Sequence, residues 1–115
     1  MLSGVIKWIK EMIILDIKTI ESTKGFPYIS RANIIKQFDM SKASADKRIK
    51  EIRDEIEKGR YSEKSLIKDG GFVFVSYLVF IDYLSNRQKL MEPNLRKYVE
   101  PFNAYKTARE IGWYN

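Results

Sequence analysis

The stretch from Phe26 to Leu84 decides the fold: FPYISRANIIKQFDMSKASADKRIKEIRDEIEKGRYSEKSLIKDGGFVFVSYLVFIDYL. Ser30 stands where an N-cap belongs, because its side-chain oxygen can accept from a first-turn N–H that has no helical partner. The helix it opens runs Arg31 to Phe38, with Ala32, Ile34, Ile35 and Phe38 as its buried side. Asp39-Met40-Ser41 is a turn, with Met40 as apolar filler where two helices meet. Ser41 caps a second helix reaching about Lys58, where Ala45, Ile49, Ile52 and Ile56 recur at spacings of four, three and four. Gly59 sits at the position after a helix end, where positive φ is needed. Tyr28 and Ile29 form a very short strand before the first helix.

Beyond Gly59, Arg60 to Lys68 and Phe72 to Val75 read as two strands around Asp69-Gly70-Gly71, a hairpin signal between apolar runs. The first of them can start as late as Ser65. Ser76 to Lys89 reads as a helix packed through Leu78, Val79, Ile81, Tyr83 and Leu84, with Arg87 and Lys89 suiting its C-terminal end. Pro93 and Pro101 punctuate the remainder into short helical pieces, Asn94 to Val99 and Asn103 to Ile111, the latter ended by Gly112. Tyr98, Phe102, Tyr105, Trp113 and Tyr114 make this extension aromatic, so it is expected to fold back onto the domain.

At the other end, Ile6, Ile9, Ile13, Ile17 and Ile20 give a helix from Val5 to Glu21 one apolar stripe, which Trp8, Met12, Ile14 and Leu15 widen. The plain reading of this stripe is a first helix packed on the core, and the sharper one is a dimer or partner-docking helix; adsorption to a membrane surface is a third reading. Lys7, Lys10, Glu11, Asp16 and Lys18 interrupt the apolar run, so it falls short of the ~20 residues that span a bilayer. No signal-peptide cleavage pattern follows it, and the expectation is a cytoplasmic chain that does not enter the membrane.

With 115 residues the expected organisation is one domain: an N-terminal helix and linker over 1–25, a core over 26–89 and an extension over 90–115. The fold class expected is mainly α with a small β-hairpin. There is no Cys and no His, which excludes disulfides, thiolate chemistry and imidazole acid–base work. No Gly-rich phosphate loop or carboxylate pair stands in a recognisable frame, so no enzyme activity and no cofactor are expected. A net charge of +6 favours an anionic partner, nucleic acid being the commonest.

A helix-turn-helix presents the N-terminal part of its second helix to the major groove. Here that part is Lys42, Ala43, Ser44, Lys47 and Arg48. Lys42, Ser44 and Lys47 project away from the apolar stripe toward base edges or phosphates, Ala43 suits a thymine methyl, and Arg48, bordering the stripe, suits phosphate. Lys68 beside the hairpin turn and Arg60 at the start of that unit complete the candidate DNA contacts. The same charges are also what a solvated helix face carries.

Tyr28-Ile29-Ser30, Phe38-Asp39-Met40-Ser41, Arg48-Ile49, Gly59-Arg60, the run Gly70 to Val75 and Ser76 through Leu84 give about half of the chain a family look. It resembles the small winged helix-turn-helix proteins of phages and mobile elements, of the excisionase and MerR-like kind. The resemblance implies a winged helix-turn-helix core and sequence-specific binding of double-stranded DNA, in transcriptional control or as an excision accessory factor. The long second helix, the N-terminal helix and the aromatic extension depart from the minimal unit and suggest a homodimer through Ile6, Ile9, Ile13, Ile17 and Ile20. The alternative is a protein-interaction or structural module on the same scaffold, such as a phage packaging or replication accessory protein.

Overall fold

The computed structural model describes residues 27–112. The proposed dimer stripe Ile6 to Ile20, and Trp113 and Tyr114, lie outside the described residues. The chain is mostly helical with a small sheet, in the order β1 (Tyr28–Ser30), α1 (Arg31–Gln37), α2 (Lys42–Glu57), a 3-10 turn (Glu63–Ser65), β2 (Leu66–Asp69), β3 (Phe72–Ser76), α3 (Tyr77–Met91), α4 (Pro93–Arg96) and α5 (Ala104–Glu110). No helix among these residues is long and apolar enough to cross a membrane.

The hairpin acquires a third strand. The sheet is antiparallel in the order β1-β3-β2, with Ile29 and Leu66 both opposite Val75. β2 starts at Leu66, because the residues from Arg60 to Ser65 make a bend and a 3-10 turn rather than strand. Asp69 pairs with Phe72, which leaves a two-residue turn, Gly70-Gly71, with positive φ at Gly70 only (+58°). That sign pattern belongs to a type II′ turn, whose twist matches that of the strands.

The helix ends are fixed by local chemistry. Asn33 N–H donates to Ser30 Oγ at 3.2 Å, and Ser44 N–H donates to Ser41 Oγ at 3.1 Å. At the end of α2, Gly59 N–H reaches Ile56 O (3.0 Å) and Arg60 N–H reaches Glu55 O (2.9 Å), with Gly59 at φ +91°. This is a Schellman motif, which satisfies carbonyls the helix leaves open. α1 ends similarly through Met40 N–H to Ile35 O at 3.1 Å, but the left-handed position is held by Asp39 at φ +52°.

One core joins the elements: Ile29, Ile34, Ala45, Ile49, Ile52, Tyr61, Val75, Val79, Phe80, Tyr83 and Leu90. Each fully buried large side chain contributes about 1.5–3 kcal/mol of transfer free energy. Ala32, assigned above to the buried side of α1, is exposed; α1 is short and only Ile34 is fully enclosed. On α2 the fourth buried position is Glu55 rather than Ile56, which is only partly covered.

The C-terminal extension folds back as its aromatic content suggests. Phe102 meets the Tyr61 ring edge-on at 5.3 Å, and α5 packs Thr107 and Ala108 against α3. Arg96 supplies the reason Glu55 can be buried: Nη1 and Nη2 donate to its two carboxylate oxygens at 2.7 and 2.6 Å. Tyr98 remains 73% exposed, so the extension is not uniformly apolar inward.

Candidate nucleic-acid interface

Four residues, Phe38 to Ser41, separate α1 from α2, and Phe38 packs against Phe80 at 5.0 Å. That contact and the Ala45–Ile49–Ile52 stripe hold α2 with its opposite side outward. Lys42, Ala43 and Lys47 are exposed, as is Lys50, while Ser44, Arg48 and Arg53 are half-buried. Lys42, Lys47, Lys50 and Arg53 make no salt bridge among the described residues.

The acids of the same helix behave differently. Asp46 is held by Arg31 of α1, with Nε to Oδ1 at 2.6 Å and Nη2 to Oδ2 at 3.0 Å. Glu51 is held by Arg87 of α3 at 2.7 and 3.0 Å and accepts from Tyr83 Oη at 2.8 Å. Glu55 is held by Arg96, with Lys58 Nζ at 3.9 Å. The Arg87 fork holds the Glu51 carboxyl below its ordinary range against the opposing effect of burial, helped by Tyr83 and the nearby charge of Lys47. Burial, and then the Glu51 carboxylate, push the Tyr83 phenol up. Three arginines from outside α2 thus neutralise three of its carboxylates. Among the described residues Lys42, Lys47, Lys50 and Arg53 stay outside such pairs. Arg87, read from sequence as a helix-end charge, is instead a clamp between α2 and α3.

Arg48 turns back on its own helix. Its Nη1 donates to Ser44 O at 3.3 Å, and its Nε is buried with no hydrogen-bond partner. Lys68, on β2 opposite Val73, is exposed. Next to it the hairpin end is open around Gly70 and Gly71, and Phe72 is 68% exposed.

Arg60 lies elsewhere, and this corrects its assignment to phosphate. Its side chain is only 8% exposed and Asp82 beside it 11%. Arg60 Nη2 donates to Asp82 Oδ2 at 2.8 Å, Nη1 to Glu100 O at 2.8 Å, and Nε is shared between Asp82 and Tyr61 Oη at 3.3 Å. Tyr61 Oη donates to the same Oδ2 at 2.6 Å, and burial with that carboxylate drives its phenol pKa strongly upward. The guanidinium is engaged inside the protein, tying α2's end to α3 and to the C-terminal extension.

The structure therefore gathers Lys42, Ala43, Ser44, Lys47 and Arg48 on one end of α2 and keeps Lys68 on the hairpin. Lys50 and Arg53, which continue the same face in the sequence, extend the row, and the structure adds the Arg31–Asp46 pair. The sequence signal for the last was the cationic row Lys42, Lys50 and Arg53 with a single acid set in it at helical spacing. Among the described residues no cluster of acids could hold a metal ion. No protein-family model, curated protein or solved structure matches the chain.

Proposed function

We propose that this chain binds double-stranded DNA sequence-specifically, without catalysis, with the N-terminal half of α2 in the major groove and the β2–β3 hairpin as a wing. The observation that carries the reading is the asymmetry of α2: among the described residues Lys42, Lys47, Lys50 and Arg53 are outside any ion pair, while Asp46, Glu51 and Glu55 are each neutralised by an arginine from another element. Two helices joined by four residues, followed by a hairpin in a sheet of order β1-β3-β2, are in keeping with a winged helix-turn-helix arrangement. A regulator of phage or mobile-element genes, or an excision accessory factor, is the role the sequence resemblance suggests for such a binder.

The test is selection from a randomised duplex library across a salt series, followed by affinity measurement on the enriched site. Each phosphate contact contributes about 0.9 to the slope of log affinity against log salt. Replacing Lys42, Lys47, Lys50 and Arg53 together by Gln lowers that slope by about 3.6 if each meets a phosphate. An enriched motif with a slope reduced in this way supports the proposal. A folded wild type that binds no duplex at low salt overturns it.

A second reading has its own observation. Met91, Leu95, Tyr98 and Ile111 are 55%, 45%, 73% and 41% exposed, all within α3's end and the C-terminal extension. Exposed large apolar residues of this kind favour a protein-interaction module on the same scaffold. Loss of duplex binding together with a stable protein complex broken by Tyr98→Asp is the result that selects it.

A further inference from the structure

We infer that Arg31 is a DNA-backbone contact and that Asp46 is the positioning residue that holds it in place. This rests on the duplex-DNA reading above and adds a residue that lies outside α2.

Asp46 stands four residues from both Lys42 and Lys50, with Arg53 three further on, so these side chains line one side of α2. It is the only acid among the first nine residues of the helix, Lys42 to Lys50. A bare carboxylate in the middle of a phosphate-facing row would repel the ligand. Yet Asp46 pairs with neither Lys42 nor Lys50, its two nearest same-side neighbours in sequence. It takes the guanidinium of Arg31, the first residue of α1, through both oxygens.

The atoms used matter. Asp46 occupies Nε and one N–H of Nη2, the side edge of the guanidinium. Among the described residues the end edge, formed by Nη1 and the second N–H of Nη2, has no partner. A guanidinium carries five N–H donors, and this remaining fork is matched to two phosphate oxygens. The side chains are 36% and 55% exposed, so water and ligand reach them. The Asp46 hydrogen bond lifts the Arg31 pKa and depresses that of Asp46, so both stay charged. An ion pair this exposed adds little to folding, which leaves little structural reason for its two-point geometry. The carboxylate converts a site of repulsion into a fixed cation in the row Lys42, Arg31, Lys50, Arg53. Phosphate is the matching ligand, because the first helix of such a unit crosses the DNA backbone while the second enters the groove.

The experiment compares wild type, Asp46→Asn, Arg31→Gln and the double variant on the selected duplex across a salt series, at a temperature where melting shows all four folded. Asp46→Asn removes a negative charge, so electrostatics alone makes it bind more tightly. Positioning makes it bind several-fold more weakly. Arg31→Gln is expected to bind more weakly with a salt slope smaller by about one. Adding Asp46→Asn to it is expected to cause no further loss, since the two act as a unit. Tighter or unchanged binding by Asp46→Asn overturns the inference and leaves the DNA reading standing. Absence of duplex binding by wild type overturns the DNA reading itself and this inference with it.

Discussion

Arg60→Ala separates a fold residue from a DNA contact more sharply than any other single change. Three groups depend on this guanidinium: the Asp82 carboxylate, the Tyr61 hydroxyl and the Glu100 carbonyl. Asp82 would keep Tyr61 Oη at 2.6 Å and Asn86 Nδ2 at 3.3 Å, both neutral donors, but would lose its counter-ion. With the pair intact Asp82 is only 11% exposed, so it relies on these protein partners more than on water. Removing one partner of a buried pair costs about 3–5 kcal/mol, because the other charge is left uncompensated. The cation over the Tyr61 ring, 5.4 Å from its centroid, is lost as well. For a domain of this size even the low end of that range lowers the melting midpoint by ~12 °C. The assay is thermal unfolding by circular dichroism, paired with duplex affinity measured well below the midpoint. The expected result is a large drop in midpoint with affinity at low temperature nearly unchanged. Arg60→Lys should recover part of the stability, since it keeps the charge but cannot reach both Asp82 and Glu100 O with a fork. An unchanged midpoint together with weakened DNA binding would refute the reasoning and return Arg60 to the DNA surface.

Two further outcomes follow from the same structure. Asp39→Gly is expected to stabilise by about 0.5 kcal/mol, because φ +52° strains a side-chain-bearing residue and suits glycine, a gain partly offset by glycine's unfolded-state entropy; a lower denaturant midpoint would contradict this. Glu51, held below its ordinary value of 4.5 by Arg87, contributes stability that is fully present above the unfolded pKa and lost as pH falls through the lower folded one, so wild type should weaken below about pH 4.5 and Glu51→Gln should show a shallower acid limb, with identical acid limbs excluding that role.

What could be read from the sequence was what depends on neighbours along the chain. Ser30 and Ser41 as caps, Gly59 after α2 and Gly70-Gly71 at the hairpin need only a few residues of context, and each was readable. The aromatic extension was expected to return, but not where. That gap explains the largest misreading. Arg60, Glu51 and Glu55 look like surface charges until Glu100, Arg87 and Arg96 arrive from 40, 36 and 41 residues away. Periodicity misled in the same manner at Ala32, where an apolar residue at helical spacing met no second layer, and at Glu55, whose burial no hydropathy pattern signals. The cationic residues of α2 were visible from the start. Which of them keep their charge facing outward depends on tertiary partners for the acids, and those partners are invisible in a linear reading.

That division of labour between arginine and lysine bears on how the domain would meet DNA. Arg60, Arg87 and Arg96 are clamps, each using a planar fork on a carboxylate that is itself little exposed, at 11%, 16% and 6%. Lysine's flexible stem and strongly hydrated ammonium suit such sites poorly, and among the described residues Lys42, Lys47, Lys50 and Lys68 all remain outside ion pairs. Along α2 the consequence is a charge gradient. Arg31, Arg87 and Arg96, all from other elements, pull Asp46, Glu51 and Glu55 out of the helix's outward field, whereas Asp54 and Glu57 near its C-terminus stay exposed. The helix therefore points a cationic N-terminal half at solvent, while at its far end the exposed Asp54 and Glu57 stand beside Lys58, whose side chain is 57% exposed. A polyanion approaching it is attracted to the N-terminal half, so the long-range field favours that half of α2 before any base contact forms. The β2–β3 hairpin reinforces the choice only through Lys68, because Asp69 beside it offsets the charge at the hairpin end. If the field orients the encounter in this way, removing Lys42 and Lys47 slows association more than it speeds dissociation, the opposite of what loss of base-specific contacts produces.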